Sequence, residues 1–165
     1  VKHVTKKQFM SISPPKKLQV GTDSLGFYLS RANIVFRELL KQSLEASSLS
    51  DYIKPGMGNL MFALYERDGQ SKTELARKLR LSKMTITRLV RDVEKQKLVT
   101  IEADDRDGRA SRVVLTPLAR RLESDYYQLA LQLEDRIATN FTPKQLSDFG
   151  RHLKNLVDSL ESDLF

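Results

Sequence analysis

The stretch SKTELARKLRLSKMTITRLV, residues 71–90, decides how this chain reads. Ser71-Lys72-Thr73-Glu74 has the form of a capping box. The serine hydroxyl can accept from the Glu74 N–H while the glutamate reaches back to the serine's own N–H. A helix is predicted to start there, with Leu75, Ala76 and Leu79 facing inward. The chain then turns through Arg80-Leu81, and Ser82 offers a second cap. At about 100° per residue the following helix places Ile86, Leu89, Val90 and Val93 on one side and Met84, Arg88, Arg91 and Lys95 on the other. The reading is helix, short turn, helix, with a cationic outer face.

That outer face suits a nucleic acid. Ser82 and Lys83 sit at the helix N-terminus, where backbone N–H groups favour phosphate. Thr85 and Thr87 lie on the flanks, and Met84 can meet a thymine methyl in a major groove. Lys72, at the start of the preceding helix, joins this set. A basic amphipathic helix alone is just as often a solvated surface, so the segment after it carries weight. Leu98–Ala103 and Ser111–Thr116 read as two strands, with Val113 and Leu115 alternating against Arg112. Asp107-Gly108 between them is a strong signal for a tight hairpin turn. Such a hairpin is a wing. A turn at Asp107-Gly108 would project Arg106 and Arg109 from its tip, where a guanidinium can enter a narrow minor groove and a neighbouring carboxylate can hold it in register.

Working outward, three long apolar stripes flank this short centre. Leu25, Leu29, Ala32, Phe36, Leu39, Leu40 and Leu44 recur at helical spacing from Asp23 to about Ser47. A second helix, carrying Leu60, Met61, Ala63 and Leu64, is expected to stop near Asp68-Gly69. After the wing, Leu118, Leu122, Tyr126, Leu129, Leu133 and Ile137 mark one face of a long helix. Pro143 behind a Thr142 cap opens another, striped by Leu146, Phe149, Leu153, Leu156 or Val157, Leu160 and Leu164. These stripes exceed what a central domain of roughly 50 residues can cover, and a two-fold dimer is the economical solution. The expected fold is mainly α with a small β-hairpin wing. Its parts are a basic arm over 1–22, a helical dimerisation region over 23–69 and 117–165, and the winged core over 70–116.

Charge follows the same division. The 165 residues carry a formal +7, and residues 71–121 hold fourteen Lys/Arg against seven Asp/Glu, whereas residues 122–165 hold four against eight. The positive field is therefore local to the centre, which favours a polyanionic partner there. Residues 1–20 have five lysines, no acid and Pro14-Pro15, which reads either as a solvated arm or as one that touches DNA or clasps a partner subunit. No apolar run is long enough for a bilayer span and no signal-peptide core opens the chain, so the expectation is a cytoplasmic protein without a membrane partner.

The winged segment resembles the MarR family of bacterial regulators. The residues that carry the likeness are Thr73-Glu74-Leu75-Ala76, Leu81-Ser82, Thr85-Ile86-Thr87-Arg88-Leu89-Val90, and Asp107-Gly108-Arg109 followed by Val113-Val114-Leu115-Thr116. Lys97 departs from the pattern, standing where the family usually has glycine before the first wing strand. The resemblance implies a homodimer joined by its first and last helices, recognition of a double-stranded DNA operator by the Ser82 helix, and minor-groove insertion of Arg109 oriented by Asp107. It also implies repression relieved by a small aromatic or anionic effector, with activation as the alternative for some members. Tyr28, Arg31, Met57, Met61 and Tyr65 are the candidate effector residues, against the plainer reading that aromatic and methionine side chains at helical spacing are core.

Other classes have less support. Without cysteine, and with His3 and His152 as the whole histidine complement, thiol sensing and a histidine-rich zinc cluster within one subunit are closed. No cofactor is expected. No nucleophile with its base and no phosphate-binding glycine loop stands out, so an enzyme is not expected. A winged module that binds protein through the same surface is the remaining alternative, and Arg88, Arg91, Lys95 and Arg109 fit a polyanion better.

Overall fold

A computed structural model describes the backbone of residues 21–104 and 107–164, and the side chains of 21–103 and 111–162. Among the described residues, six helices and three strands follow in the order α1 (Leu25–Glu45), α2 (Gly58–Glu66), β1 (Gln70–Ser71), α3 (Lys72–Leu79), α4 (Lys83–Lys95), β2 (Val99–Asp104), β3 (Asp107–Leu115), α5 (Pro117–Ala138) and α6 (Pro143–Leu164). The chain divides into two compact units, Val1–Glu38 and Leu39–Phe165. In the first, the described part of α1 exposes Leu25, Phe27, Tyr28, Ile34, Val35 and Phe36.

Helix starts follow the capping chemistry. The Ser71 hydroxyl accepts from Glu74 N (3.2 Å), and the Glu74 carboxylate accepts from Ser71 N (2.8 Å), closing the box. Ser82 Oγ accepts from Thr85 N (3.1 Å) and Thr116 Oγ1 from Ala119 N (3.2 Å). Thr142 and Gln145 form a second reciprocal pair in front of Pro143, which takes the first helical position of α6. Each device satisfies N–H groups that the first turn leaves without helical acceptors.

The second unit has one core. Leu49, Leu60, Met61, Leu64, Leu75, Ile86, Val90, Val93, Leu98 and Val113 are its sealed centre, joined by Ala119, Tyr126, Leu129 and Leu133 from α5. The inner face expected for the Ser82 helix is buried at Ile86, Val90 and Val93, with Leu89 half-buried against the same cluster. The core thus extends well beyond the winged segment and takes in α2 and one face of α5 as far as Leu133.

The sheet holds a strand that the sequence did not signal. Its order is β1-β3-β2, all antiparallel, and β1 has two residues, Gln70 facing Val113 and Ser71 facing Arg112. Two residues have no detectable alternation. The wing also differs at its tip. From Val99↔Leu115 to Ala103↔Ser111 the register is regular, and continued it would centre a turn on Asp107, but an irregularity between Ala103 and Asp104 pairs Asp104 with Asp107 instead. Asp107 and Gly108 therefore begin β3 and are not the turn expected of them. Residues 105–106, which join the strands, lie outside the described residues.

Both helices of the helix-turn-helix end in the same left-handed closure. At Lys97 (φ 59°) the N–H bonds to Glu94 O and the next, Leu98 N–H, to Val93 O. At Arg80 (φ 51°) the N–H bonds to Arg77 O and Leu81 N–H to Ala76 O. This six-to-one, five-to-two pattern is the place where glycine is favoured, which accounts for the usual glycine at the position of Lys97.

Candidate nucleic-acid interface

Helix α4 is the centre of the site. Its buried face fixes its roll, and that leaves Lys83, Met84, Thr87, Arg88, Arg91 and Lys95 exposed; Met84 is 82% accessible, the most exposed of the large apolar side chains described. An apolar side chain so far out gains nothing from the core.

Among the described residues, α4 carries more unpaired cations than any other helix. Around it, Arg67 is neutralised by Glu74 (2.6 Å), Lys78 by Glu66, Arg120 by Asp68, and Arg80 by Asp158 and Glu161, whereas Lys72, Arg77 and Lys97 have no ion pair among the described residues. Among the described residues, Lys83, Arg88, Arg91 and Lys95 make no ion pair. Four cations on one exposed surface keep their full field, as a polyanion site requires.

The hydroxyls predicted for this surface are mostly engaged. Ser82 Oγ caps α4 and lies 2.8 Å from Thr85 Oγ1, Thr85 is half-buried, and Thr87 Oγ1 donates to Lys83 O (2.8 Å). Their structural duty is to start the helix and fix its first turn. Lys72, half-buried, stands at the first position of α3. In the wing, Asp107 and Arg109 fall within β3, and Arg106 lies outside the described residues.

The wing is anchored at its base. Asp68 Oδ1 accepts from Gly69 N (2.7 Å) and Leu115 N (2.9 Å), Asp68 Oδ2 pairs with Arg120, and Arg112 Nη1 donates to Gly69 O (2.8 Å). Buried Gln70 completes the corner, its amide donating to Ala63 O and Arg67 O. None of this was legible as a motif, although the Asp-Gly pair marked the corner.

The effector candidates fall in different parts of the chain. Tyr28 and Arg31 are exposed on α1 in the first unit, with Tyr28 Oη 3.4 Å from Asp23 Oδ1. In the second unit Met57 and Met61 are core residues, 6% and 0% exposed. The Tyr65 hydroxyl donates to Ala119 O (2.9 Å) within an aromatic group formed with Phe62, Tyr126 and Tyr127. Burial first, then the nearby Glu123 charge, pushes the Tyr65 hydroxyl up to about 12. Among the described residues no cluster of three metal-binding side chains occurs, and no described helix is long and apolar enough to cross a membrane.

Two helices meeting at a left-handed corner, the second exposed and cationic, followed by a hairpin that pairs with a strand in front of them, define a winged helix-turn-helix. More narrowly, residues 59–110 match the MarR family. The transcriptional regulator AdcR of Streptococcus pneumoniae serotype 2 is 27% identical over 101 residues, 59% of this chain and 69% of that protein. Bordetella bronchiseptica BpsR, described through regulation of its DNA binding by 6-hydroxynicotinic acid, superposes with a TM-score of 0.73 at 19% identity, covering 88% of this chain and 99% of its own. S. aureus MepR, solved in a DNA complex, gives 0.71 at 19% identity over 83% and 96%. The matched segment and the shared fold fit a MarR-type winged-helix regulator, and AdcR is a transcriptional regulator.

Proposed function

We propose that the protein is a dimeric, sequence-specific DNA-binding transcription regulator, a repressor that a small aromatic or anionic ligand releases. The observation that carries this reading is the exposed face of α4, where Lys83, Arg88, Arg91 and Lys95 lie together with no acidic partner among the described residues, while nearby Arg67, Lys78, Arg80 and Arg120 are paired. Such a face supplies the phosphate attraction, and exposed Met84 adds an apolar group for a thymine methyl.

Dimerisation is supported by the apolar side chains left open on the end helices: Leu25, Ile34 and Val35 on α1, and Phe149, Val157 and Leu160 on α6. A two-fold pair would present two α4 helices about 34–36 Å apart to successive major grooves, with Arg106 and Arg109 of each wing toward the flanking minor grooves. Binding over a promoter represses by occlusion. Effector release follows if a ligand favours a separation of the helices that no longer matches the half-sites. That BpsR responds to 6-hydroxynicotinic acid supports an anionic aromatic effector class. Tyr28 and Arg31 are its exposed candidates, whereas Met57, Met61 and Tyr65 serve the core of the second unit.

The test is selection of the purified protein on random duplex DNA, with affinity followed against salt. Recovery of a pseudo-palindrome of roughly 16–20 base pairs with a steep salt dependence supports the reading. Equal weak binding to every duplex refutes it and leaves a protein partner for the same surface.

A further inference from the structure

Arg80 stands where glycine would be least strained, and its side chain reaches from the corner of the helix-turn-helix to the last helix. The left-handed backbone (φ 51°, ψ 42°) closes α3 and leads within two residues to the Ser82 cap of α4. A β-carbon in that conformation costs roughly 1 kcal/mol, so the turn gains nothing from arginine by itself. The guanidinium, however, is ion-paired with Glu161 and lies 3.3 Å from Asp158 Oδ1, both on α6 and the latter 78 positions away. Glu161 Oε2 is closed off from solvent and has no hydrogen-bond partner among the described residues, so the Arg80 charge is what compensates it. The Glu161 side chain as a whole is 28% exposed, so losing its cation costs about as much as losing a surface ion pair. Asp158 is held in place from its other side by Lys154.

We propose that Arg80 is a positioning residue that locks the helix-turn-helix corner to α6 through Asp158 and Glu161, so that the last helix sets the orientation of α4. It rests on the reading of α4 as the DNA-recognition helix. Its consequence is a direct link: any movement of α6 pulls on the residue two positions before the Ser82 cap of α4.

Arg80→Gly separates the two roles of the position, since glycine keeps the left-handed closure and deletes the guanidinium. The full chain is compared with Arg80→Gly, with Arg80→Glu, and with Arg80→Glu combined with Glu161→Arg and Asp158→Asn. Two quantities are read: amide hydrogen exchange on the free protein at residues 83–86 and 158–162, and affinity for the duplex recovered by selection. The expected result for Arg80→Gly is a melting temperature no lower than that of the unaltered chain, faster exchange in both segments and an affinity about three- to tenfold weaker, the size expected for two half-exposed ion pairs. Arg80→Glu is weaker still, and the charge-swapped variant recovers both readouts. Unchanged exchange in Arg80→Gly overturns the lock, as does faster exchange with unchanged affinity. Lost affinity that the swap does not restore assigns Arg80 to direct phosphate contact instead. If the unaltered chain selects no sequence, the DNA reading fails, and the exchange data still decide whether the corner is tied to α6.

Discussion

Asp68 and Leu115 are 47 positions apart, yet the Asp68 carboxylate accepts the Leu115 backbone N–H at 2.9 Å. The same carboxylate holds Arg120 at the start of α5 and the N–H of Gly69, so one side chain fastens the corner after α2, the end of the second wing strand and the long helix that follows. Removing it leaves a half-buried N–H and a guanidinium without their acceptor. Asp68→Ala is expected to destabilise the protein by about 1–3 kcal/mol, measured by urea unfolding, and to raise the exchange rate of the Leu115 amide.

Lys97 predicts the opposite sign. Its φ of 59° strains any residue with a β-carbon, while the closure it serves uses backbone atoms alone. Lys97→Gly relieves that strain and adds some freedom to the unfolded chain. The net expectation is stabilisation of up to about 1 kcal/mol, seen as a raised midpoint in thermal unfolding.

The capping box of α3 makes part of the stability depend on pH. Hydrogen bonds from the Ser71 backbone N–H and hydroxyl, and then from Arg67, lower the Glu74 carboxyl from 4.5 to about 2. A group whose pKa falls on folding stabilises the fold above its unfolded value and loses that contribution as pH drops through the folded one. Glu74→Gln is therefore expected to flatten the stability profile between pH 4.5 and 2, measured by denaturation at a series of pH values.

On the interface, the side chains divide by what they would touch. Arg91→Ala is expected to weaken binding about equally for all sequences and reduce the salt slope by about 1, as loss of a phosphate contact does. Met84→Ala is expected to relax the preference at one base-pair position while leaving the slope unchanged, read by repeating the selection. Arg109→Ala is expected to cost about 1–3 kcal/mol of affinity if the wing enters the minor groove, measured by titration of the recovered duplex.

Tyr126 ties α5 to the start of α2. Its hydroxyl donates to Gly58 O at 2.6 Å, and a β-carbon at Gly58 would stand 3.0 Å from that hydroxyl. Tyr126→Phe is expected to cost about 1 kcal/mol in urea unfolding, and Gly58→Ala is expected to be tolerated better in the Tyr126→Phe background than alone.

What the sequence determined by itself is what neighbours within four residues can decide. The Ser71 and Ser82 caps, the buried side of α4 and the capped start of α6 depend on N–H groups and side chains a turn apart, so their spacing is written directly in the chain. The cationic face of α4 was legible for the same reason: once Ile86, Val90 and Val93 are inside, Arg88 and Arg91 must be outside. The tertiary structure decided the contacts that join distant segments. The pairing of Gln70-Ser71 with β3, the irregularity after Ala103 that moves the pairing at the wing tip, the three bonds on Asp68, and the reach of Arg80 to Glu161 have no periodic trace. Each exists because a common core brings together segments whose own spacing says nothing about the meeting. Whether a basic side chain is neutralised, as Arg80 is, or left open, as Arg91 is, follows from which acidic residue the fold delivers to it.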